Sequence, residues 1–185
     1  MSLVIPKFPD HLLLEVRRLF NGDRCLDDRL FGDVAVSSKP EGLLVRAEAP
    51  VLLDQNIPDA PIGSRVEKLW ETDVLELFLV GPGHQYLELE LGAGGHWLVY
   101  EFDRIRHINN FHEELDLVVS YNKTENKTWV SETVLPWKLF PENFRSLNAF
   151  MIVGEQFLSF SPVPGDIPDF HQPDYFPSAS INRSV

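Results

Sequence analysis

Cysteine occurs once, as Cys25, so no intramolecular disulfide can form. Basic residues are also scarce: 16 Lys and Arg face 28 Asp and Glu, a formal net charge of −12. Binding to nucleic acid depends on neutralising phosphates with basic side chains, and no cluster exceeds Arg17-Arg18 or Arg104-Ile105-Arg106. Neither nucleic acid nor an anionic membrane surface is therefore an expected partner. No apolar run approaches the ~18 residues of a membrane span. The N-terminal stretch lacks the basic, apolar and small-residue order of a signal peptide, so the expected compartment is the cytoplasm. An acidic surface suits neutral sugars, cations or basic partners, and most often serves solubility.

The missing catalytic motifs exclude further classes. The Gly92-Ala93-Gly94-Gly95 run has no following Gly-Lys-Ser/Thr and is a turn rather than a P-loop. No G-x-S-x-G exists for an esterase. His11, His84, His96, His107, His112 and His171 do not pair with Cys25 or with one another at zinc-site spacing, and read as scattered surface imidazoles. Cys25 has only Arg24 as a basic neighbour, and a reactive thiol needs an electropositive setting, so a structural thiol is expected.

What remains is ordinary for one globular domain spanning 1–185: 44% hydrophobic and 24% charged residues, with 13 Phe, 4 Trp, 4 Tyr and 14 Pro. The prolines favour many loops and few long helices. No linker, repeat or low-complexity tract divides the chain, and its pattern is short β-like runs punctuated by turn residues. Residues 32–38 and 42–49 flank Lys39-Pro40-Glu41 as a hairpin, and the proline-bearing stretch 50–68 reads as a long irregular loop. Strands follow at 72–80, 85–91, 96–102, 115–121 and 128–134, with one or two more in 147–161. Residues 136–139 can form one helical turn, and 11–20 read as a strand or a short helix. Short strands without a βαβ rhythm predict an all-β, two-sheet antiparallel sandwich with little helix.

Residues two apart on a strand share a face. Leu75, Leu77 and Leu79 thus lie together, as do Leu87, Leu89 and Leu91, and the expected core side also takes Leu98, Tyr100 and Phe102. The opposite side is predicted to carry Glu76, Phe78, Tyr86, Glu88, Glu90, Trp97 and Glu101, with Trp70 at its margin. Such a face is either a wetted sheet surface, as antiparallel sheets commonly have, or the floor of a site. Like charges on adjacent strands repel, and these strands offer no Lys or Arg to relieve them. Aromatic rings cover the C–H faces of a pyranose and carboxylates accept its hydroxyls, so a sugar site is the sharper alternative.

The stretch LWETDVLELF (69–78) resembles the "W…D…E.F" signature of the family 9 carbohydrate-binding modules and the wider DOMON-like, jelly-roll-type sandwich group. YLELE (86–90), the glycine-rich turn, His96-Trp97, VLPW (134–137), PDFH (168–171) and Tyr175-Phe176 extend the likeness over about residues 65–180. The same blocks are similar to an open-reading-frame family of animals and bacteria that has no established activity. The resemblance implies an antiparallel sandwich in which Trp70 stacks on a sugar and Glu76 takes its hydroxyls. The second stacking Trp of those modules has no counterpart here, where Phe170, Tyr175 and Phe176 stand instead. Some DOMON relatives hold haem, but Met151 sits in an apolar strand and reads as core.

The expected function is non-catalytic binding of a small carbohydrate or polyol-like ligand by Trp70, Asp73, Glu76, Tyr86, Glu88, Glu90, Trp97, His171 and Tyr175. A scaffold domain with a vestigial site is the alternative, and a glycoside-acting enzyme comes third. Glycoside hydrolysis needs two acids about 5–10 Å apart, and a same-strand pair such as Glu88 and Glu90 meets that spacing without catalysis. No cofactor is expected. Calcium held by grouped carboxylates stays open, with residues 166–174 as one place for it.

Overall fold

In the computed structural model, which describes residues 2–183, the runs between turn residues are strands almost throughout. In chain order they are β1 (Leu3–Ile5), β2 (Leu12–Val16), β3 (Arg18–Leu19), β4 (Gly32–Ser38), β5 (Gly42–Pro50), β6 (Val74–Val80), β7 (Tyr86–Gly92), β8 (Trp97–Arg104), β9 (His107–Asn110), β10 (Val119–Lys123), β11 (Thr128–Pro136), β12 (Ser146–Val153), β13 (Gln156–Ser159) and β14 (Ala179–Ile181). Helix among the described residues is limited to single 3₁₀ turns at Leu69–Glu71, Pro82–His84, Trp137–Leu139 and Pro173–Tyr175. No helix among them is long and apolar enough to cross a membrane. The 11–20 stretch resolves into β2 and β3, because Leu14 and Val16 alternate inward while Leu13 and Glu15 alternate outward. β9 was not foreseen: His107–Asn110 is polar, as an edge strand can be, and carries no apolar alternation to announce it.

Two antiparallel sheets form a sandwich. One has five strands in the order β10-β11-β5-β4-β2, the other seven in the order β3-β13-β12-β6-β7-β8-β9. β1 and β14 pair in parallel as a separate ribbon that ties the two ends of the chain together. The main core lies between the sheets. Leu75, Leu77, Leu79, Leu87, Leu89 and Leu91 of the larger sheet share one cluster with Val34, Val36, Val45, Ala47 and Trp129 of the smaller.

Register decides what else enters that core. Leu91 pairs with Trp97, Leu89 with Val99 and Leu87 with Glu101, while Tyr86, Glu88 and Glu90 oppose Phe102, Tyr100 and Leu98. The phase of β8 is therefore the reverse of the sequence expectation. Trp97 and Val99 belong to the leucine face, and Leu98, Tyr100 and Phe102 to the glutamate face. The 92–95 turn sets this register. Gly95 has φ +80°, and a Cβ there would stand 2.7 Å from the Tyr121 ring, so only glycine closes the turn without displacement.

The glutamate face is not wet, which corrects the outward-facing reading. Every residue of β6 and β7 is buried. A second apolar cluster covers this side, built from Phe78, Tyr86, Tyr100 and Phe150 of the sheet with Val163, Phe170 and Phe176 of the C-terminal segment. Phe150 and Phe170 stack with ring centroids 4.1 Å apart. A sheet buried on both faces needs apolar residues at nearly every position, which is why β6 reads VLELFLV with one polar residue in seven.

Candidate functional site

β6 and β7 bring three carboxyls together. Glu76 lies directly across from Glu90, and Glu88 across from Phe78. Carboxylate oxygens of Glu76, Glu88 and Glu90 fall within 4.8 Å of one another. Glu90 is completely buried, with no side-chain donor at either oxygen and only the Trp70 backbone N–H near enough to favour its charged form. Glu76 and Glu88 reach a cavity of about 330 Å³ whose walls are chiefly aromatic: Trp70, Tyr100, Phe102, Phe157 and Phe170. Arg106, Asp169 and His171 stand at the same cavity.

Local structure explains how Trp70 takes its place. Leu69 is fully buried in the second cluster and anchors the 3₁₀ turn, and its carbonyl accepts a bond from the Thr72 hydroxyl at 2.7 Å. The next side chain is thereby turned outward, leaving Trp70 36% exposed. Its indole meets the Tyr100 ring edge-on, with centroids 6.0 Å apart. The Tyr100 hydroxyl donates to Glu67, which also receives Arg65 at 2.6 Å.

Burial dominates the electrostatics. It lifts Glu76 well above the ordinary carboxyl range, and Glu88 beside it adds to the rise. Burial raises Glu88 to about 8 against the pull of Arg106. Glu90 is raised by burial and then by Glu88, Glu76 and Glu67. His171 moves the other way: burial, and secondarily Arg106, lower it to about 4, so it is neutral at physiological pH. Its Nδ1 lies 2.7 Å from the Tyr86 hydroxyl, which also accepts the Arg106 backbone N–H at 3.0 Å. Arg106 in turn donates to Asp169 at 2.7 Å. Tyr86 thus joins the sheet to the C-terminal segment that roofs the cavity.

Not every expected site residue is here. Trp97 sits in the inter-sheet core, with Nε1 donating to the Gly63 carbonyl at 2.9 Å. Asp73 is buried and accepts the backbone N–H groups of Asn56 and Gly154 at 3.2 and 3.0 Å, tying the 51–68 loop to the β12–β13 turn. Tyr175 is exposed and does not line the cavity. The histidines are not all surface groups, since His96 and His171 are enclosed and His96 Nε2 contacts the Ala60 carbonyl at 2.9 Å. Among the described residues, the acidic grouping compact enough for a cation is the glutamate triad rather than 166–174, where Asp169 pairs with Arg106 and Asp174 with His84. Carboxylate ligands suit hard cations such as calcium. Tyr100, Phe102, Arg106 and Phe157 were missed. For the first two, the signal was the parity of the β7–β8 turn; for Arg106 and Phe157 no sequence pattern pointed at the cavity.

No protein-family profile matches the chain. It is 34% identical over 154 residues to the zebrafish (Danio rerio) UPF0462 protein C4orf33 homolog, covering 77% of each chain. It is 32% identical over 152 residues to the human UPF0462 protein C4orf33, covering 76% of this chain and 75% of that one. Among solved structures, a Bacteroides uniformis protein provisionally assigned as carbohydrate-binding superposes with a TM-score of 0.71 at 12% identity, over 98% of this chain and all of that one. A family 9 carbohydrate-binding module from Caldicellulosiruptor kristjanssonii, solved with cellotriose, superposes with a TM-score of 0.60 at 11% identity, over 100% and 95% of the two chains. At such identities the likeness is one of fold.

Proposed function

The chain belongs to the UPF0462 family, and we propose that its aromatic-walled cavity binds a small carbohydrate or polyol-like ligand without transforming it. The observation that carries this reading is the pairing of a half-open Trp70 with Glu76 and Glu88 in one cavity of about 330 Å³. An indole face left partly uncovered suits the apolar side of a sugar ring. Carboxyls behind it accept or donate to hydroxyls, which solvent does not satisfy at that depth. Folds shared with a cellotriose-bound module and a protein assigned as carbohydrate-binding support the same ligand class.

Binding without catalysis is favoured by the carboxyls' common environment. General acid–base work on a glycoside needs two acids whose environments push their pKa values apart. Here burial raises Glu76, Glu88 and Glu90 together.

The test is a sugar and polyol panel titrated against intrinsic tryptophan fluorescence, with Trp70→Ala as control. A ligand that shifts the wild-type emission at millimolar concentration or below should lose at least roughly ten-fold in affinity in Trp70→Ala, about 1.4 kcal/mol. The same variant should melt within a few degrees of wild type. A Trp70→Ala protein that melts far lower, together with a wild type that answers no sugar at millimolar concentration, would overturn the reading in favour of a structural tryptophan.

A further inference from the structure

We infer that the cavity above Glu76 and Glu88 selects a ligand bearing a protonated amine among its hydroxyls, an amino sugar or amino polyol, over the neutral polyol of the same size. This rests on the polyol reading above and adds the charge of what enters.

The first ground is a crowding of buried acidic groups with little cationic charge beside them. Three carboxyls lie within 4.8 Å of one another on this face; Glu76 and Glu88 line the cavity, and Glu90, buried behind them, has no side-chain donor and only the Trp70 backbone N–H to favour its charge. Buried carboxyl groups without partners are costly, and a cation supplied at the site relieves them. The chain supplies little. Arg106 is a cation at the cavity and eases Glu88 in part, but part of its guanidinium is engaged by Asp169 at 2.7 Å. Arg65, near the Tyr100 side, is held by Glu67 at 2.6 Å and donates to the Phe111 carbonyl. His171 is neutral. A net charge of −12 draws cations toward the protein as a whole.

The second ground is shape. An ammonium group has three N–H donors and no acceptor. With charge-assisted bonds of about 2.8 Å, tetrahedral geometry sets its acceptors about 4.6 Å apart, a spacing that oxygens of Glu76 and Glu88, the carboxyls lining the cavity, can meet. Calcium would take six to eight oxygens, and this sheet face has three carboxyls with its strand carbonyls already committed to the ladders. The third ground is the walls. Trp70, Tyr100 and Phe102 line the cavity beside these carboxyls, and aromatic faces attract a cation brought close to them. A neutral polyol can use the rings and accept hydrogen bonds from the protonated acids, but supplies no charge that would stabilise their carboxylate form.

Entry of an ammonium group stabilises the carboxylate form of its neighbours, so binding should expel protons. The groups facing the triad that share in this balance are Arg106 after β8, Asp169 and His171 of the C-terminal segment, Tyr86 and Tyr100 on adjacent strands, and Glu67 before Trp70.

The experiment is calorimetric titration of the full chain at pH 7 with two matched pairs, D-glucosamine against D-glucose and ethanolamine against ethylene glycol. Each is run in two buffers of different ionisation enthalpy. Each amine should bind roughly ten-fold or more tightly than its neutral partner and should release protons to the buffer. The preference should shrink to under about three-fold in Glu88→Gln; should that variant fail to fold, wild-type proton release carries the decision. Equal affinities within both pairs would overturn the selection for charge while leaving the polyol reading standing. Ethanolamine binding above ethylene glycol, with both sugars silent, would uphold the charge selection and overturn the polyol reading. Silence from all four ligands would overturn both, as would calcium binding tightly where none of the four does.

Discussion

At its centre the seven-stranded sheet is buried on both sides, and the two sides are built differently. Toward the five-stranded sheet it presents Leu75, Leu77, Leu87 and Leu89 among Val36, Val45 and Ala47, a hydrocarbon layer with its partner already in place. Away from it, the same two strands present Glu76, Glu88 and Glu90 among Phe78, Tyr100, Phe102 and Phe170, over a cavity that protein atoms do not fill. Close packing of the first kind maximises stability. The second arrangement buries polar groups where leucine would be cheaper, and departures of that sort mark functional sites. The leucine face serves packing alone, and binding is proposed for the other, which also has its own buried apolar cluster.

The sharpest way to break the comparison is Leu77→Asp. Leu77 faces Leu89 and Ala149 across its two neighbouring strands, with no cation near to pair with a new carboxylate. An unpaired charge there should cost several kcal/mol and unfold the chain, seen as lost cooperative thermal unfolding by circular dichroism. A soluble variant with a native melting curve would mean the two faces are not distinct in this way.

Two tryptophans offer a smaller contrast. Trp97 is enclosed in the inter-sheet core and bonded to Gly63, whereas Trp70 is 36% exposed at the cavity. Trp97→Ala should cost about 3–5 kcal/mol as a buried cavity, measured by urea denaturation. Trp70→Ala should cost clearly less in the same assay, and similar losses would erase the distinction between core and site.

The smallest expected effect is a pH slope. Folded Glu88 keeps its proton to about pH 8, whereas an unfolded glutamate releases it near 4.5. The folded chain therefore binds more protons in that interval, and stability is full below about 4.5 and lost as pH rises toward about 8. His171 opposes this, because its folded value is about 4 against an ordinary 6.5, so stability rises with pH between those limits. Above pH 6.5 the histidine contributes no further change and Glu88 remains, while Glu76 and Glu90 are shifted in the same direction. Through Glu88, stability of the ligand-free protein should fall from pH 6.5 to 8 by up to about 1.4 kcal/mol per pH unit. Glu88→Gln should flatten that slope in denaturation curves taken at half-unit steps. A level or rising wild-type curve would place the triad in its ionised form.

Much of the fold was legible along the chain. The hairpin of β4 and β5, the irregular 50–68 stretch and the leucine alternation of β6 and β7 are where local pattern placed them. Part of the cavity was legible too: Trp70, Glu76, Glu88 and His171 line it together. β8 was misread because WLVYEFDR is apolar in both phases, so alternation carries no preference when each face of a strand meets its own core. Asp73 and Tyr175 sat inside blocks that resembled a binding signature, yet one caps backbone amides and the other is exposed and does not line the cavity.

What the sequence by itself determined is therefore local and periodic: the central strands of both sheets though not β1, β9 or β14, the pure leucine face, and the gathering of three carboxyls by one tight hairpin plus diagonal neighbours. Period-two patterning and turn chemistry act over a few residues, and no distant segment is needed to express them. Only tertiary structure decided that the carboxyl face is enclosed, that Trp97 turns to the core, and that Tyr100, Arg106 and His171 meet beside Glu88. The segment that roofs the face, with Val163, Phe170 and Phe176, is irregular and lies far along the chain from β6 and β7. Burial is a property of what finally covers a surface, so the shifts of Glu76, Glu88, Glu90 and His171 exist only once that roof has closed.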